Sequence, residues 1–259
     1  MSAALPTPGR PLLRLRVIDI ETTGEAPPAE VIEFGRVDVV HEHGTWRVER
    51  PMARLYRPLH GIPPETMAVH HITEADFDVD TPVCTNERLR LAIWGGEPPN
   101  ALVAHNAEFE QRFVTTAATD DLPWICTYKV ALRAWPEAPR HSNQVLRYWR
   151  GLRLDPSLAM PPHRAGPDAY VTASLLVELL RTVAGEEMIA WSREPRHLPA
   201  LPFGKHRGLP WTAVPLDYLD WMLRQADMEA DVIWCARREM QRRQHAAADA
   251  SHDSRPPSC

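Results

Sequence analysis

The chain has little cysteine and very little lysine. Its 259 residues include four cysteines, at Cys84, Cys126, Cys235 and Cys259. No two of them have the spacing of a zinc site or of a disulfide framework, so we expect four reduced thiols. Lysine occurs only at Lys129 and Lys205, and arginine supplies nearly all of the positive charge. The sequence therefore excludes a small disulfide-stapled protein and a cysteine-ligated zinc domain.

Long hydrophobic runs are missing as well. No stretch approaches the roughly 20 apolar residues of a membrane span, and Met1 to Arg10 lack the apolar segment of a secretory signal. These absences predict a cytoplasmic protein with no membrane partner. The composition, 44% hydrophobic and 24% charged, is that of a globular protein long enough for one large domain and a small module.

A positive net charge, the usual sign of a nucleic-acid-binding protein, is also lacking, since the formal charge is −5. The negative net charge does not exclude nucleic-acid binding, because the chain concentrates its carboxylates in short motifs where bound metal would offset their charge. Three such motifs follow one another at 19–24 (Asp-Ile-Glu-Thr-Thr-Gly), 105–110 (His-Asn-Ala-Glu-Phe-Glu) and 163–168 (His-Arg-Ala-Gly-Pro-Asp).

The first motif ends an apolar run, Leu15 to Ile20, that is typical of a buried strand. Residues two apart on a strand point to the same face, so Asp19 and Glu21 project together. Two carboxylates held side by side repel each other unless a cation lies between them. The motif therefore predicts a divalent metal site.

In their order and context, the three motifs resemble those of the DEDDh 3′–5′ exonucleases, the family of DnaQ-like proofreading exonucleases and RNase T. The similarity runs from about Leu13 to Val183. It implies an RNase H-like α/β fold, a mixed sheet flanked by helices, and removal of nucleotides from 3′ ends. Two further segments, Gly61–Thr73 and Phe203–Gly208, resemble the bacterial exonuclease X branch of this family, which has a similar small C-terminal module.

The resemblance implies a site of four carboxylates that hold two divalent ions, Mg²⁺ or Mn²⁺, with the first aspartate between the ions. The four are Asp19, Glu21, Glu110 and Asp168. His163 stands five residues before Asp168, in a predicted loop. An imidazole that titrates near neutrality is suited to take the proton of the attacking water.

Glu110 departs from the family pattern, in which the second motif ends in aspartate. Glutamate keeps the carboxylate but moves it one methylene further from the backbone, and Mg²⁺ tolerates displaced ligands poorly. Glu110 therefore leaves open a different class of protein, a non-catalytic module that binds 3′ ends without cutting them.

The predicted substrate is nucleic acid with a free 3′ end, with DNA as the first reading and RNA as the alternative. The resemblance places the terminal nucleotide beside a turn, a strand end and a short helix. The residues concerned are Thr22, Thr23, Gly24, Asn106, Met67 and His70. For Gly24 a plain turn, and for Met67 and His70 a packed surface helix, are the structural alternatives.

Hydrophobic periodicity predicts an antiparallel meander followed by strands alternating with helices. The predicted strands are Leu13–Ile20, Val31–His41, Thr45–Tyr56, Ala101–His105 and Trp124–Thr127. The predicted helices are Pro63–His70, Asn86–Trp94, Glu108–Ala118, Asn143–Trp149, Pro167–Val183, one marked by Leu216, Leu219 and Leu223, and Val232–Met240.

The predicted domain organisation follows from these patterns and from the proline content between them. It consists of a flexible arm at 1–11, an exonuclease domain at 12–193, a linker at 194–202, a small mainly helical module at 203–245 and a disordered tail at 246–259. The module opens with Phe203–Gly208, which we expect to be a flexible basic turn suited to phosphate.

Overall fold

The computed structural model describes residues 13–253, so the predicted arm at 1–11 lies outside the described residues. The chain divides into two compact units. The first contains residues up to Ala134 and Ala138–Arg193, and the second contains Trp135–Glu137 and the residues from Glu194 onward. The division thus falls after Arg193, where the linker was predicted to begin.

The first unit is built on a six-stranded mixed sheet. The strands are β1 (Arg14–Thr22), β2 (Val31–Glu42), β3 (Thr45–Val48), β4 (Met52–Leu55), β5 (Ala101–Ala104) and β6 (Trp124–Cys126). Their order is β3-β2-β1-β5-β6, and β4 also pairs with β2. Strand β1 is antiparallel to β2 and parallel to β5, which is parallel to β6. The predicted mixed sheet is confirmed.

One predicted strand, Thr45–Tyr56, is wrong, because two short strands occupy that segment. Strands β3 and β4 both pair with β2, at different places along it. The interruption includes Pro51, which has no N–H to donate to a ladder and so favours a break in the strand.

Nine α-helices accompany the sheet in the described part of the first unit. They are α1 (Pro64–His70), α2 (Asn86–Trp94), α3 (Glu110–Phe113), α4 (Thr116–Thr119), α5 (Thr127–Ala134), α6 (Asn143–Trp149), α7 (Pro156–Ala159), α8 (Ala165–Leu179) and α9 (Gly185–Arg193).

Two of the predicted helices differ from the structure. The single helix expected at Glu108–Ala118 is two short helices, because the backbone leaves the helical region at Val114 (φ −97°, ψ 86°). The β-branched run from Val114 to Thr116 lowers helix propensity there. The long helix begins two residues before Pro167 and ends at Leu179 rather than at Val183, with Pro167 in its first turn as predicted.

Helices cover both faces of the sheet. On one face Ile18, Ile20 and Phe34 pack with Leu89 and Ile93 of α2. On the other face α8 lies across β1 and β2. Because successive strand residues alternate between faces, Asp19 and Glu21 point away from the α2 side and toward α8.

The second unit is mainly helical. Helices α10 (Leu216–Leu223) and α11 (Ala230–Asp253) enclose a small core that includes Leu219, Met222 and Val232. The tail predicted to be disordered from 246 is wrong over 246–253, because α11 continues to Asp253. The alanines at 246–248 and 250 are strong helix formers and need no apolar stripe to extend a helix. The rest of the predicted tail lies outside the described residues.

Two expected absences concern cysteines and membrane spans. Among the described residues, Cys84, Cys126 and Cys235 form no disulfide, and Cys259 lies beyond them. No helix within residues 13–253 is both long enough and apolar enough to cross a membrane.

Candidate active site

Three of the predicted carboxylates meet at the carboxyl end of β1. Asp19 and Glu21 are on the strand, and Asp168 is in the first turn of α8. One ligand oxygen from each can be chosen so that all three lie within 4.8 Å of one another. Asp168, which is 147 positions after Glu21, therefore joins Asp19 and Glu21 in one acidic cluster. Oxygen donors of this kind are the ligands that Mg²⁺ and Mn²⁺ prefer.

Asp168 is held in place by two other segments. Its Oδ1 accepts a hydrogen bond from Nε2 of Gln144 at 3.0 Å, and its Oδ2 accepts one from the backbone N–H of His163 at 2.6 Å. The side chain of Asn143 donates to the backbone carbonyl of Asp168 at 3.2 Å. Helix α6 and the loop before α8 thus orient the carboxylate together.

Gly35 allows α8 to approach the sheet. It is opposite Asp19 in the β1–β2 register. A Cβ atom added at Gly35 would lie 2.1 Å from the carbonyl oxygen of Ala165 and 2.2 Å from its carbon. Only glycine permits this approach, which brings the start of α8, and with it Asp168, over Asp19.

Glu110 begins α3 and lies beside the cluster of three. Its side chain is buried, with 3% of the residue exposed. Its Oε2 has no hydrogen-bond partner among the described residues. A buried polar atom without a partner is costly, and a cation at the cluster would relieve that cost.

The pKa values of the four carboxyls are raised above their ordinary range. Burial contributes most to the rise at Asp19, and the charges of Glu21, Asp168 and Glu110 add to it. The pKa of Glu21 is raised to about 8 by burial and by Asp168 and Glu33, against the opposing effect of Arg164.

Burial likewise raises the pKa of Glu110 to about 8 and raises that of Asp168. Crowded carboxyls that resist ionisation in the absence of a cation form a donor set that fits divalent metal.

An ion pair between Glu33 and Arg164 lies next to the acidic cluster and was not predicted from the sequence. Glu33 lies opposite Glu21 in the β1–β2 register and is buried. Arg164 donates from Nε and Nη2 to the two oxygens of Glu33 at 2.9 and 2.8 Å, and the N–H of Ala165 donates at 2.9 Å. The pair ties β2 to the start of α8. Two features of the sequence could have indicated this pair. They are a carboxylate within the apolar run 31–34 and an arginine inside the third motif.

His163 has an exposed side chain, and its backbone φ is 58°. Its main-chain N–H is bound to Asp168, while no described residue holds its imidazole by a hydrogen bond. The ring is therefore next to the carboxylates and accessible to water, as a general base must be.

The threonine hydroxyls of the turn after β1 form hydrogen bonds within the same segment of the chain. The Oγ1 of Thr22 donates to the carbonyl of Gly24 at 2.6 Å, and the N–H of Glu30 donates to Oγ1 of Thr23 at 2.8 Å. Thr22 is buried. The turn is thus braced from within, and the hydroxyl hydrogen of Thr22 is already used there.

Asn106 of the second motif is exposed, and its φ of 74° turns the chain sharply after β5. The preceding His105 is not a metal ligand here. Its Nδ1 lies 2.9 Å from Oγ1 of Thr127 and its Nε2 lies 2.7 Å from the carbonyl of His141. Burial lowers the pKa of His105 to about 4, so a neutral ring braces the motif.

The two residues predicted in α1 are placed differently from each other. Met67 is partly exposed. His70 is only 2% exposed, and its Nδ1 accepts a hydrogen bond from the N–H of Ile72 at 2.9 Å. His70 therefore presents no face to a base in this structure. Its hydrogen bond to Ile72 instead stabilises the end of α1.

The fold and the site together define a class. A mixed sheet with two carboxylates on its central strand, a third on a helix laid across that strand and a fourth buried alongside is the architecture of an RNase H-like nuclease.

Comparison with known proteins narrows that class. The exonuclease family model matches residues 17–176. Exodeoxyribonuclease 10 of Escherichia coli (strain K12) is 34% identical over 218 residues, which cover 82% of this chain and 92% of that protein. The chain belongs to the exonuclease family, in its DEDDh group, and is a phosphodiester hydrolase.

Solved structures agree with this assignment. Exonuclease X in complex with 5′ overhanging duplex DNA has a TM-score of 0.56 and 35% identity, over 69% of this chain and 99% of that one. The nuclease domain of 3′hExo, a DEDDh family member bound to rAMP, has a TM-score of 0.50 and 20% identity, over 66% of this chain and 93% of that one, and shares the fold.

Proposed function

We propose that this protein is a metal-dependent 3′–5′ exonuclease that releases 5′-mononucleotides from DNA ends. The observation that carries the proposal is the convergence of Asp19, Glu21 and Asp168, whose ligand oxygens lie within 4.8 Å of one another. DNA is favoured because one relative is named an exodeoxyribonuclease and another was solved with duplex DNA.

Asp19, Glu21, Glu110 and Asp168 would hold two divalent ions. Bound in pairs, such ions neutralise charge on the phosphate and lower the pKa of the attacking water. Asp19 is central to the set, because the charges of all three other carboxylates raise its pKa.

His163 is the proposed general base. Its backbone N–H bonds to Asp168 at 2.6 Å, so the same contact that orients a metal ligand keeps the imidazole at the edge of the cluster. A ring exposed to solvent there can take the proton from water and release it to bulk solvent.

The 3′-terminal nucleotide is proposed to lie against the turn Thr22–Gly24, with Asn106 and Met67 beside it. The hydroxyl of Thr22 donates within the turn, whereas Oγ1 of Thr23 only accepts a hydrogen bond there, so the hydroxyl of Thr23 and the neighbouring side chains are the proposed contacts to the sugar and base. Contacts of this type bind an end without reading its sequence.

The proposal is tested by degradation of a 5′-labelled oligonucleotide with Mg²⁺, with Mn²⁺ and with a chelator. We expect labelled DNA to shorten stepwise from its 3′ end, free 5′-mononucleotides to appear, and the chelator to stop the reaction. Asp168→Asn removes one proposed ligand and should be inactive, whereas the matched change Asp227→Asn, at an exposed position of the second unit, should not.

Two alternatives are decided by the same assay. Matched single-stranded DNA, 5′-overhanging duplex and RNA separate a DNA enzyme from an RNA enzyme by rate. A non-catalytic end-binding module, which Glu110 leaves open, would bind the labelled 3′ end but release no mononucleotide with either ion.

A further inference from the structure

The second unit carries a partly exposed aromatic cluster on α10. The ring centroids of Tyr218 and Trp221 are 5.0 Å apart with an interplanar angle of 32°, and the ring of His206 meets Tyr218 edge-on at 4.7 Å. Trp221 is 42% exposed although its ring contacts that of Tyr218. A tryptophan with so much of its surface in water is a candidate contact for a ligand.

A basic turn lies against this cluster. Nζ of Lys205 is 5.5 Å from the centre of the Tyr218 ring. The turn is closed by its own backbone hydrogen bonds. Its ends, Gly204 and Gly208, have φ of 70° and 86°, and hydrogen bonds close it from Arg207 to Gly204 and from Gly208 to Leu201. A fixed turn holds its cations in place relative to the rings.

Glycine at position 204 allows the turn to lie against the ring of Tyr218. A Cβ atom at this position would lie 2.3 Å from the hydroxyl of Tyr218. Glycine therefore serves two purposes here, the left-handed backbone and the close approach of the turn to the aromatic ring.

The two cations of the turn, Lys205 and Arg207, have no carboxylate partner among the described residues. Four of the six other described arginines of the unit do have one: Arg196 pairs with Asp231 and Glu229, Arg224 with Asp220, and Arg242 and Arg243 with Glu239. Asp217, the exposed acid next to Tyr218, accepts a hydrogen bond from the N–H of Tyr218 at 2.9 Å and forms no ion pair with either cation of the turn. The turn still presents two unneutralised cations beside an exposed ring.

We propose that this surface, made of Lys205, His206, Arg207, Tyr218 and Trp221, binds single-stranded nucleic acid. Trp221 offers a face for a base, and Lys205 and Arg207 offer charge for the adjoining phosphates, the combination that non-specific single-strand binders use. The inference rests on the proposed function in one respect, that the substrate of the enzyme is a nucleic acid.

The test measures binding of the full-length protein to a fluorescent single-stranded oligonucleotide in chelator, over a range of salt concentrations. Trp221→Ala should weaken binding about fivefold or more, the lower end of what one stacked base contributes, and leave the salt slope unchanged. Lys205→Ala should reduce the slope of log affinity against log salt by about 0.7, the value for one phosphate contact on a single strand.

Two control variants distinguish the loss of a specific binding surface from the general effects of removing an apolar side chain or a positive charge. Leu216→Ala removes another exposed apolar side chain of α10 and should leave affinity unchanged. Arg224→Ala removes the same charge as Lys205→Ala, but from a guanidinium already bound to Asp220, and should leave the slope nearly unchanged. Equal effects of variant and control, or wild-type affinity in both Trp221→Ala and Lys205→Ala, would overturn the proposal.

Hydrolysis of the p-nitrophenyl ester of thymidine 5′-monophosphate separates this proposal from the proposed function, because that substrate has no second nucleotide. We expect Trp221→Ala to hydrolyse it at the wild-type rate. An inactive wild type would refute the proposed function alone, while reduced hydrolysis in Trp221→Ala would show that the substitution disturbs the enzyme and would count against a separate binding surface.

Discussion

Burial changes the ionisation of single carboxyl groups in the site. Asp19 and Glu110 are ordinary carboxylic acids in sequence, yet their surroundings raise the pKa of both, that of Glu110 to about 8. A cation restores the ionised form, because it supplies the opposite charge that burial and neighbouring carboxylates withhold. Residues that hold metal in this way destabilise the protein when the metal is removed.

Asp19→Asn should therefore abolish cleavage while preserving or raising the melting temperature of the metal-free protein. The amide keeps the shape of the side chain but cannot ionise, so it removes a proposed metal ligand and any repulsion from a charged Asp19. Nuclease rates and thermal unfolding in chelator measure the two effects. An unfolded variant, or one with near-wild-type rates, would contradict the assignment of Asp19 as a ligand.

Glu110→Asp tests whether the longer side chain is matched to its helix. The Oε2 of Glu110 is buried without a partner among the described residues. The shorter aspartate should withdraw it from the cluster, so we expect activity to fall roughly tenfold or more with both Mg²⁺ and Mn²⁺. A rise in the Mg²⁺ rate would show instead that the site merely tolerates glutamate, and no change would remove Glu110 from the set of ligands.

His163→Ala should lower the cleavage rate by about 10²–10⁴, the range for loss of a general base. Affinity for oligonucleotide, measured in chelator, should change little, and His43→Ala, at another exposed histidine with positive φ, serves as the control. A loss of binding that accounts for the whole loss of rate would make His163 a substrate contact.

Among the secondary-structure elements, α8 decides whether the site is assembled. It crosses the sheet at Gly35, is tied to β2 through Glu33 and Arg164, and carries Asp168 in its first turn. The buried pair matters most when broken, because loss of one partner leaves the other charge unpaired. The position of the Asp168 carboxylate thus depends on residues outside the acidic cluster.

Gly35→Ala should displace the start of α8, because the new methyl group would overlap the backbone of Ala165. We expect a loss of at least about 2 kcal/mol in the free energy of unfolding, as for other overpacked sites, together with a fall in cleavage. Gly166→Ala is the matched control, since its Cβ would meet only the Cβ of Ala53, at 3.2 Å. Denaturant unfolding measures both, and equal stabilities would contradict the close approach.

Across the whole molecule, the acidic cluster links stability to pH and to metal. In the metal-free protein the pKa of Glu21 and of Glu110 is about 8 when folded, against an ordinary value of 4.5. Between these values the folded protein binds more protons than the unfolded chain, so the free energy of unfolding must fall as pH rises. Acids of lowered pKa, such as Asp38, act in the opposite direction at lower pH.

We therefore expect the melting temperature in chelator to decrease from pH 5 to pH 8, and Mg²⁺ or Mn²⁺ to raise it most at pH 8, where the ligands ionise on binding. Thermal unfolding across this range measures the effect. The pH dependence should be weaker in Glu110→Gln, which cannot ionise, and an unchanged dependence would show that other groups cause it.

The sequence by itself determined the features that depend on local geometry. The two-residue period of a strand places Asp19 and Glu21 on one face, and Pro167 sets the first turn of the helix that carries Asp168. The order of the three motifs identified the family and its mixed sheet. Each of these follows from a few neighbouring residues, so it can be predicted without knowing what lies across the fold.

Only the tertiary structure decided the rest, because it depends on contacts between segments distant in sequence. The approach of α8 to Gly35, the pairing of Glu33 with Arg164, 131 residues apart, and the burial of His70 have no local pattern. The raised pKa values of the carboxyls are likewise a property of the assembled cluster, since burial and neighbouring charges act through space. The motifs predict which carboxylates form the site, and the packing of α8 on the sheet brings Asp168 to Asp19 and Glu21.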